Sequence, residues 1–118
     1  MWCGDGKGAF PGREYFLALQ PVDRSKFTAS FIKRTNEWEW HNVDRYRDEG
    51  DGICAFKIHG HRLVGFRDGR DVLITHGYAK KTEKMPKREL ARAVALRSLY
   101  TELKASPCQK DKGDAEEN

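Results

Sequence analysis

Residues 53–76 constrain the fold more than any other stretch. They read ICAFKIH, Gly60-His61, RLVGFR, Asp68-Gly69 and RDVLITH, three β-rich runs separated by two dipeptides. Gly-X and Asp-Gly are preferred two-residue hairpin loops, because a positive φ there matches the twist of the flanking strands. The stretch therefore predicts a three-strand antiparallel meander. With Gly60 and His61 as the first loop, His59 lies opposite Arg62, Lys57 opposite Val64 and Ile58 opposite Leu63. With Asp68 and Gly69 as the second, Arg67 lies opposite Arg70, and Arg62 opposite Thr75. Register decides which side chains share a face. One face carries Cys54, Phe56, Ile58, Leu63, Val72 and Ile74 and needs a cover. The other gathers Lys57, His59, Arg62 and Thr75 at one end, with Val64, Phe66 and Leu73 toward the other.

The cover is expected from upstream. Pro11 suits a first helical turn, where its missing N–H has no partner to lose. Tyr15, Phe16 and Leu19 then share one helical face, and Pro21 closes the segment. A second helix is expected from Asp23 or Ser25, either of which can cap it. Its stripe is Phe27, Phe31 and Trp38, widened by Ala29 and Ile32, and it closes near Trp38–Trp40. Residues 41–52 (HNVDRYRDEGDG) read as a polar connection ending in a turn. Downstream, Pro86 opens a last helix with an apolar stripe at Leu90, Val94, Leu96, Leu99, Tyr100 and Leu103. The expected architecture is α+β: an N-terminal helical hairpin on a small antiparallel sheet, then a C-terminal helix.

Composition narrows the partners. Charged residues make up 34% of the 118, hydrophobic ones 38%, and the formal net charge is +4. Mean hydropathy is -0.81 and the pI about 9.0. The length suits one domain, expected over 11–104. Residues 1–10 (MWCGDGKGAF) read as a flexible N-terminus, and GDGKG lacks the GxxxxGK[ST] pattern of a phosphate-binding loop. Residues 105–118 read as a disordered acidic tail. Lys80, Lys81, Lys84, Lys87, Arg88, Arg92 and Arg97 form a run interrupted by Glu83 and Glu89, which suits either a polyanion or plain solvation. The three cysteines, Cys3, Cys54 and Cys108, lack CxxC spacing, so neither a disulfide framework nor a zinc site is expected. His59-x-His61 lacks a third ligand at useful spacing, so no metal or other cofactor is expected. No apolar run approaches membrane-spanning length and no signal peptide opens the chain, so a cytoplasmic protein is expected.

The ordered combination of these pieces resembles a known family. Phe56-Lys57 and His61-Arg62-Leu63 lie in the paired strands. Leu73-Ile74-Thr75-His76-Gly77-Tyr78 and Lys80-Lys81 end the last one, and Thr82, Lys84 and Pro86-Lys87-Arg88-Glu89 open the last helix. Together they resemble the phage-derived branch of HigB-like toxins, in the RelE/ParE toxin–antitoxin superfamily, over residues 11–104. The resemblance implies a RelE-like α+β fold and ribosome-dependent, metal-independent cleavage of mRNA in the A site. It also implies neutralisation by a cognate antitoxin, commonly a small helix-turn-helix protein. The chain departs from the family at the N-terminus, where a first strand is usual and MWCGDGKGAF offers a stub. It departs again at Ala55, where an acidic residue is frequent, and at Met85, where a Thr would cap the last helix.

Metal-free RNA cleavage must align the 2′-hydroxyl with its phosphate, remove its proton, stabilise charge on the phosphate oxygens and offset charge on the leaving oxygen. Arg62 is the first candidate for charge stabilisation, since its planar guanidinium grips phosphate bidentately. Lys57 suits a phosphate contact or a base. His59 suits an acid or base, or is a solvated hairpin-end histidine. Strand alternation places His76 on the core side, in a catalytic or a structural role. Tyr78 can stack on a base or pack against the last helix. Lys80 and Lys81 are the expected phosphate clamps, with Lys84, Lys87 and Arg88 adding attraction to RNA. The alternative on the same residues is a non-catalytic growth-inhibiting module: a ParE-like gyrase inhibitor or an inactive phage-derived relative. Fold alone does not separate these.

Overall fold

A computed structural model describes residues 1–36, 45–69 and 71–105. Its elements are α1 (Pro11–Leu17), α2 (Pro21–Asn36), β1 (Tyr46–Gly50), β2 (Ile53–Ile58), β3 (His61–Asp68), β4 (Asp71–Ala79) and α3 (Lys87–Ala105). The strands form one antiparallel sheet in the order β1-β2-β3-β4. The α+β class and the meander thus match expectation, with one strand more. β1 lies in the segment read as a polar connection. Only its Tyr46 is fully buried, so an edge strand with one inward aromatic shows no alternation to read. Asp51 and Gly52 join it to β2, both with positive φ, 56° and 76°, the geometry of a type I′ loop.

Each face of the sheet has its own core. Leu19, Phe27, Tyr46, Cys54, Phe56, Ile58, Leu63 and Ile74 pack with Tyr15, Phe16, Phe31 and Val72 beneath α1 and α2. All six residues expected under the helical hairpin are there. On the opposite face Ile53, Ala55, Val64, Phe66 and Leu73 pack against Ala93, Leu90, Val94, Leu96 and Tyr100 of α3. Pro21 does not merely end α1; it is the first residue of α2. The inward stripe of α2 is Asp23, Phe27, Ser30, Phe31 and Arg34, while Ile32 is 56% exposed and Ala29 is exposed. The Arg34 guanidinium lies 5.1 Å from the Tyr46 ring centroid. The expected end of this helix at Trp38–Trp40 lies outside the described residues, as does all of the acidic tail except Ala105, the last residue of α3.

Of the N-terminal decapeptide, expected to be flexible, Met1–Cys3 lie against β4. Trp2 bridges Ile74 in parallel, with Cys3 N–H donating to Ile74 O and Ile74 N–H to Met1 O, both at 2.8 Å. Cys3 is 1% exposed. Met1, Trp2 and Cys3 are too short an apolar run, followed at once by glycines, to mark a strand-like pairing in the sequence.

Both hairpin loops sit one residue away from where the dipeptides suggested. Ile58 pairs with His61, so the first loop is His59-Gly60. Asp68 pairs with Asp71, so the second begins at Gly69, whose φ is 63°. Sliding a two-residue loop by one position moves partners by two, which preserves the face. Lys57 therefore lies opposite Arg62 rather than Val64, on the face expected. The second hairpin also contains a bulge. Val64 pairs with His76 but Gly65 pairs with Ile74, leaving Thr75 as the extra residue. A Cβ on Gly65 would stand 2.5 Å from Leu73 O, so only glycine admits β4 this closely. Beyond the bulge the alternation is inverted. Arg62 lies opposite Tyr78, not Thr75. Thr75 is fully buried, and its hydroxyl is 3.1 Å from Val64 O.

Candidate functional site

Lys57, Arg62 and Tyr78 form one row across β2, β3 and β4, at the end of the α3-facing surface that α3 leaves open. Lys57, His59, Arg62, Lys80 and Glu83 line a polar cavity of about 190 Å³ there. Each side chain has a local cause. Lys57 and Arg62 project from directly paired positions. Lys80 follows β4, and its N–H donates to Gly60 O at 2.8 Å, which holds the start of the basic loop over the β2–β3 turn. A larger cavity of about 300 Å³ lies on the opposite face, lined mainly by apolar groups such as Trp2, Phe31 and Phe56. It lacks the converging cations.

Arg62 is 4% exposed. Its Nη1 donates to His59 O at 3.2 Å and His61 O at 3.1 Å, while Nη2 lies 3.6 Å from Glu83 Oε1. The guanidinium is thus held from behind by the turn and faced by a carboxylate. Glu83 also accepts a hydrogen bond from Lys80 Nζ through Oε2. That bond, with the nearby charges of Lys80, Arg62 and Lys57, pulls the Glu83 carboxyl below its usual range. The sequence showed Glu83 only as a break in a basic run. Its spacing of three from Lys80 marks that pair alone and not the contact with Arg62. The Glu83 carboxylate occupies the position an anion would take between Arg62 and Lys80. Glu83→Gln should therefore bind inorganic phosphate several-fold more tightly than the wild-type chain, read as shifts of the Arg62 side-chain resonances in an NMR titration. Equal affinity in the two proteins would show that Glu83 does not compete with anions.

Two further residues escaped the sequence reading. Glu49 of β1 is half-buried; burial raises its carboxyl, against the charges of Arg47, Lys57 and Arg62. It was hidden in the segment read as a connection. Asp23 looked like a helix cap, but it sits inside the first turn of α2, 8% exposed. Its Oδ1 lies 2.7 Å from His59 Nδ1 and its Oδ2 3.9 Å from His61 Nε2.

The other expected site residues divide. Tyr78 is half-buried beside Arg62. Burial raises its phenol, and the Arg62 charge opposes the rise. His76 is a correction. The bulge turns it from the hairpin side to the α3 side, where it is 0% exposed and does not line the cavity. Burial, with the charge of Arg92, pushes its imidazole below the usual value, against the pull of Glu89. The ring's Nε2 lies 3.0 Å from Glu89 Oε1, and its Nδ1 is 2.9 Å from the hydroxyl of Thr75, which donates to Val64 O. His76 is a structural link between β4 and α3. Lys81, Lys84, Lys87 and Arg88 are exposed and do not line the cavity. Arg88 Nε lies 3.6 Å from Glu89 Oε2. Among the described residues no group of three His, Cys, Asp or Glu is placed to hold a metal ion.

The buried His76 makes stability pH-dependent. The unfolded imidazole titrates near its ordinary value, 6.5, while the folded one titrates lower. Between the two, the unfolded chain binds a proton that the folded chain does not. The contribution is complete above about 6.5 and is lost as pH falls through the lower folded value. The urea midpoint should drop between pH 7.5 and 5.5, and drop less in His76→Gln. The same drop in both proteins would assign the effect to other groups.

No helix among the described residues is long and apolar enough to cross a membrane. No model of a known protein family matches the chain, and no curated protein matches it.

Proposed function

We propose that this chain is the toxin of a type II toxin–antitoxin pair, an endoribonuclease of the RelE/HigB kind that cuts mRNA on the ribosome without a metal. The observation that carries the reading is the direct pairing of Lys57 with Arg62, with Lys80 on the rim of the same polar cavity. Three cations from two strands and a following loop converge on a space roomy enough for one phosphodiester. Arg62 stabilises charge on the phosphate oxygens, Lys57 and Lys80 hold the phosphate, and Tyr78 beside them offers a ring for a base. The exposed Lys81, Lys84, Lys87 and Arg88 supply the salt-sensitive attraction that draws a basic protein to ribosomal RNA. A helical hairpin and a C-terminal helix on opposite faces of a small antiparallel sheet support the family part of the reading. The partner expected beside the ribosome is a cognate helix-turn-helix antitoxin.

The deciding experiment is 5′-end mapping of cellular mRNA after a short induction. New ends should appear within translated frames before DNA synthesis slows. One observation favours a second reading: Arg62 is almost fully buried, with the turn carbonyls and Glu83 already around it. That suits a basic face that binds without cutting, as in a gyrase inhibitor on this fold. Intact mRNA together with early arrest of replication would establish that reading instead.

A further inference from the structure

Beneath the β2–β3 turn, a chain of polar contacts joins three elements. The Tyr15 hydroxyl of α1 lies 2.7 Å from His61 Nδ1. A Cβ on Gly77 would stand 2.5 Å from the Tyr15 ring, so glycine there is what lets α1 bring this phenol to the strand end. On the other side of the ring, His61 Nε2 lies 3.9 Å from Asp23 Oδ2. The other carboxylate oxygen accepts from His59 Nδ1 at 2.7 Å. Asp23 is thus an almost buried carboxylate between two imidazoles, one half-buried and one on the cavity wall.

His59 itself stands in an unusual backbone conformation. Its φ is 53°, a region that residues with a Cβ adopt at a cost of about 1–2 kcal/mol. It occupies the first loop position, where glycine is the ordinary choice for a left-handed residue. Its side chain is 59% exposed, so packing does not explain why a histidine is kept there. Its neighbours from every side are Asp23 and Lys26 of α2, with Lys57, Arg62, Lys80 and Glu83 around the cavity. Lys26 Nζ lies 3.5 Å from His59 Nε2.

We propose that His59 is the proton-transfer group of this site and that Asp23 is its positioning residue, the two forming an Asp–His dyad between α2 and the β2–β3 turn. The inference rests on the phosphodiester-cleaving reading above and adds to it the identity of the base. By accepting the Nδ1–H, Asp23 holds the neutral ring in the tautomer whose Nε2 keeps its lone pair. In the step, Nε2 takes the proton of the 2′-hydroxyl, the 2′-oxygen forms a bond to phosphorus, and the bond from phosphorus to the 5′-oxygen breaks. The leaving oxygen takes a proton from water, and the imidazolium gives its proton to the hydroxide that remains. The products are a 2′,3′-cyclic phosphate and a 5′-hydroxyl, with no change in oxidation state.

The test has two arms on the full-length protein. In the first, long-range nitrogen–proton NMR of the imidazoles should show His59 with a protonated Nδ1 and a bare Nε2 in the wild type. In Asp23→Asn it should show a mixture or the opposite tautomer. In the second, the reading is cleavage of ribosome-bound mRNA. His59→Gly suits the left-handed backbone, should remain folded, and should cleave at least 100-fold more slowly. Added imidazole should restore part of the rate, which a merely structural role would not allow. Asp23→Asn should lose a comparable factor, and the double variant little more than either single one. Three outcomes overturn the dyad: a wild-type His59 with bare Nδ1, a folded His59→Gly that cleaves at the wild-type rate, or a slow His59→Gly that imidazole does not rescue. If the wild-type chain itself leaves mRNA intact, the parent reading fails first and is identified by that silence.

Discussion

On the proposed function, replacing Arg62 by alanine is expected to lower mRNA cleavage by about 100- to 1,000-fold, the cost of removing one preorganised charge-stabilising group from an active site, and to abolish the growth arrest that function implies. The guanidinium is held from two sides, by His59 O and His61 O behind it and by Glu83 in front. A group already held where charge develops needs no reorganisation during reaction. The same contacts predict a structural cost. Losing two charge-assisted hydrogen bonds to the turn should lower stability by about 1–3 kcal/mol, so activity must be compared at equal amounts of soluble, folded protein. Arg62→Lys keeps the charge but not the planar fork that can serve the turn and a phosphate together; its rate should fall between the two. The check is 5′-end mapping of mRNA with wild type and both variants side by side, with circular dichroism of each. A folded Arg62→Ala protein that still cuts mRNA and arrests growth removes Arg62 from the chemistry.

The largest expected loss of stability comes from Phe56→Ala. Phe56 is 1% exposed and lies at the centre of the hairpin-side core. The Phe31 ring meets it edge-on at 4.9 Å and the Tyr46 ring at 5.0 Å. It thus joins α2, β1 and β2 in one contact. Truncation removes the transfer energy of the ring and leaves a void that three elements cannot easily close. The cost should be about 3–5 kcal/mol, a large part of the roughly 5–15 kcal/mol available to a domain. The guanidinium unfolding midpoint should fall steeply, and the soluble yield with it. A shift under 1 kcal/mol would mean that the cavity of about 300 Å³ bordering Phe56 already leaves the ring loosely held.

What the sequence could and could not reveal follows from period and range. The two loop dipeptides and the apolar alternation placed β2, β3 and β4, and the partition of Cys54, Phe56, Ile58 and Leu63 from Val64, Phe66 and Leu73 survived the displaced loops. Lys57 and Arg62 were legible on one face in the same way, while Lys80 was named from the family resemblance. His76 was not placed correctly, since nothing in RDVLITH marks Thr75 as an extra residue; the mark is Gly65 on the other strand. β1 has one inward aromatic and no pattern. Asp23 and Glu83 act through contacts that local sequence does not encode. The first lies 36 residues from His59, and the second crosses a loop to reach Arg62.

The bulge also divides β4 into two lengths that obey different substitution rules. From Asp71 to Ile74, even-numbered positions look toward α1 and α2; from His76 to Ala79, odd-numbered ones do. A scan of every side chain along this strand should therefore show tolerance switching parity at residue 75. A chain of the same length that paired these two strands without the bulge would have to present its final strand residues to the opposite layer, exchanging Tyr78 for Gly77 beside the arginine. Such a chain could keep the architecture and lose the aromatic neighbour of its cationic cleft, a route by which one scaffold can shed one activity without unfolding.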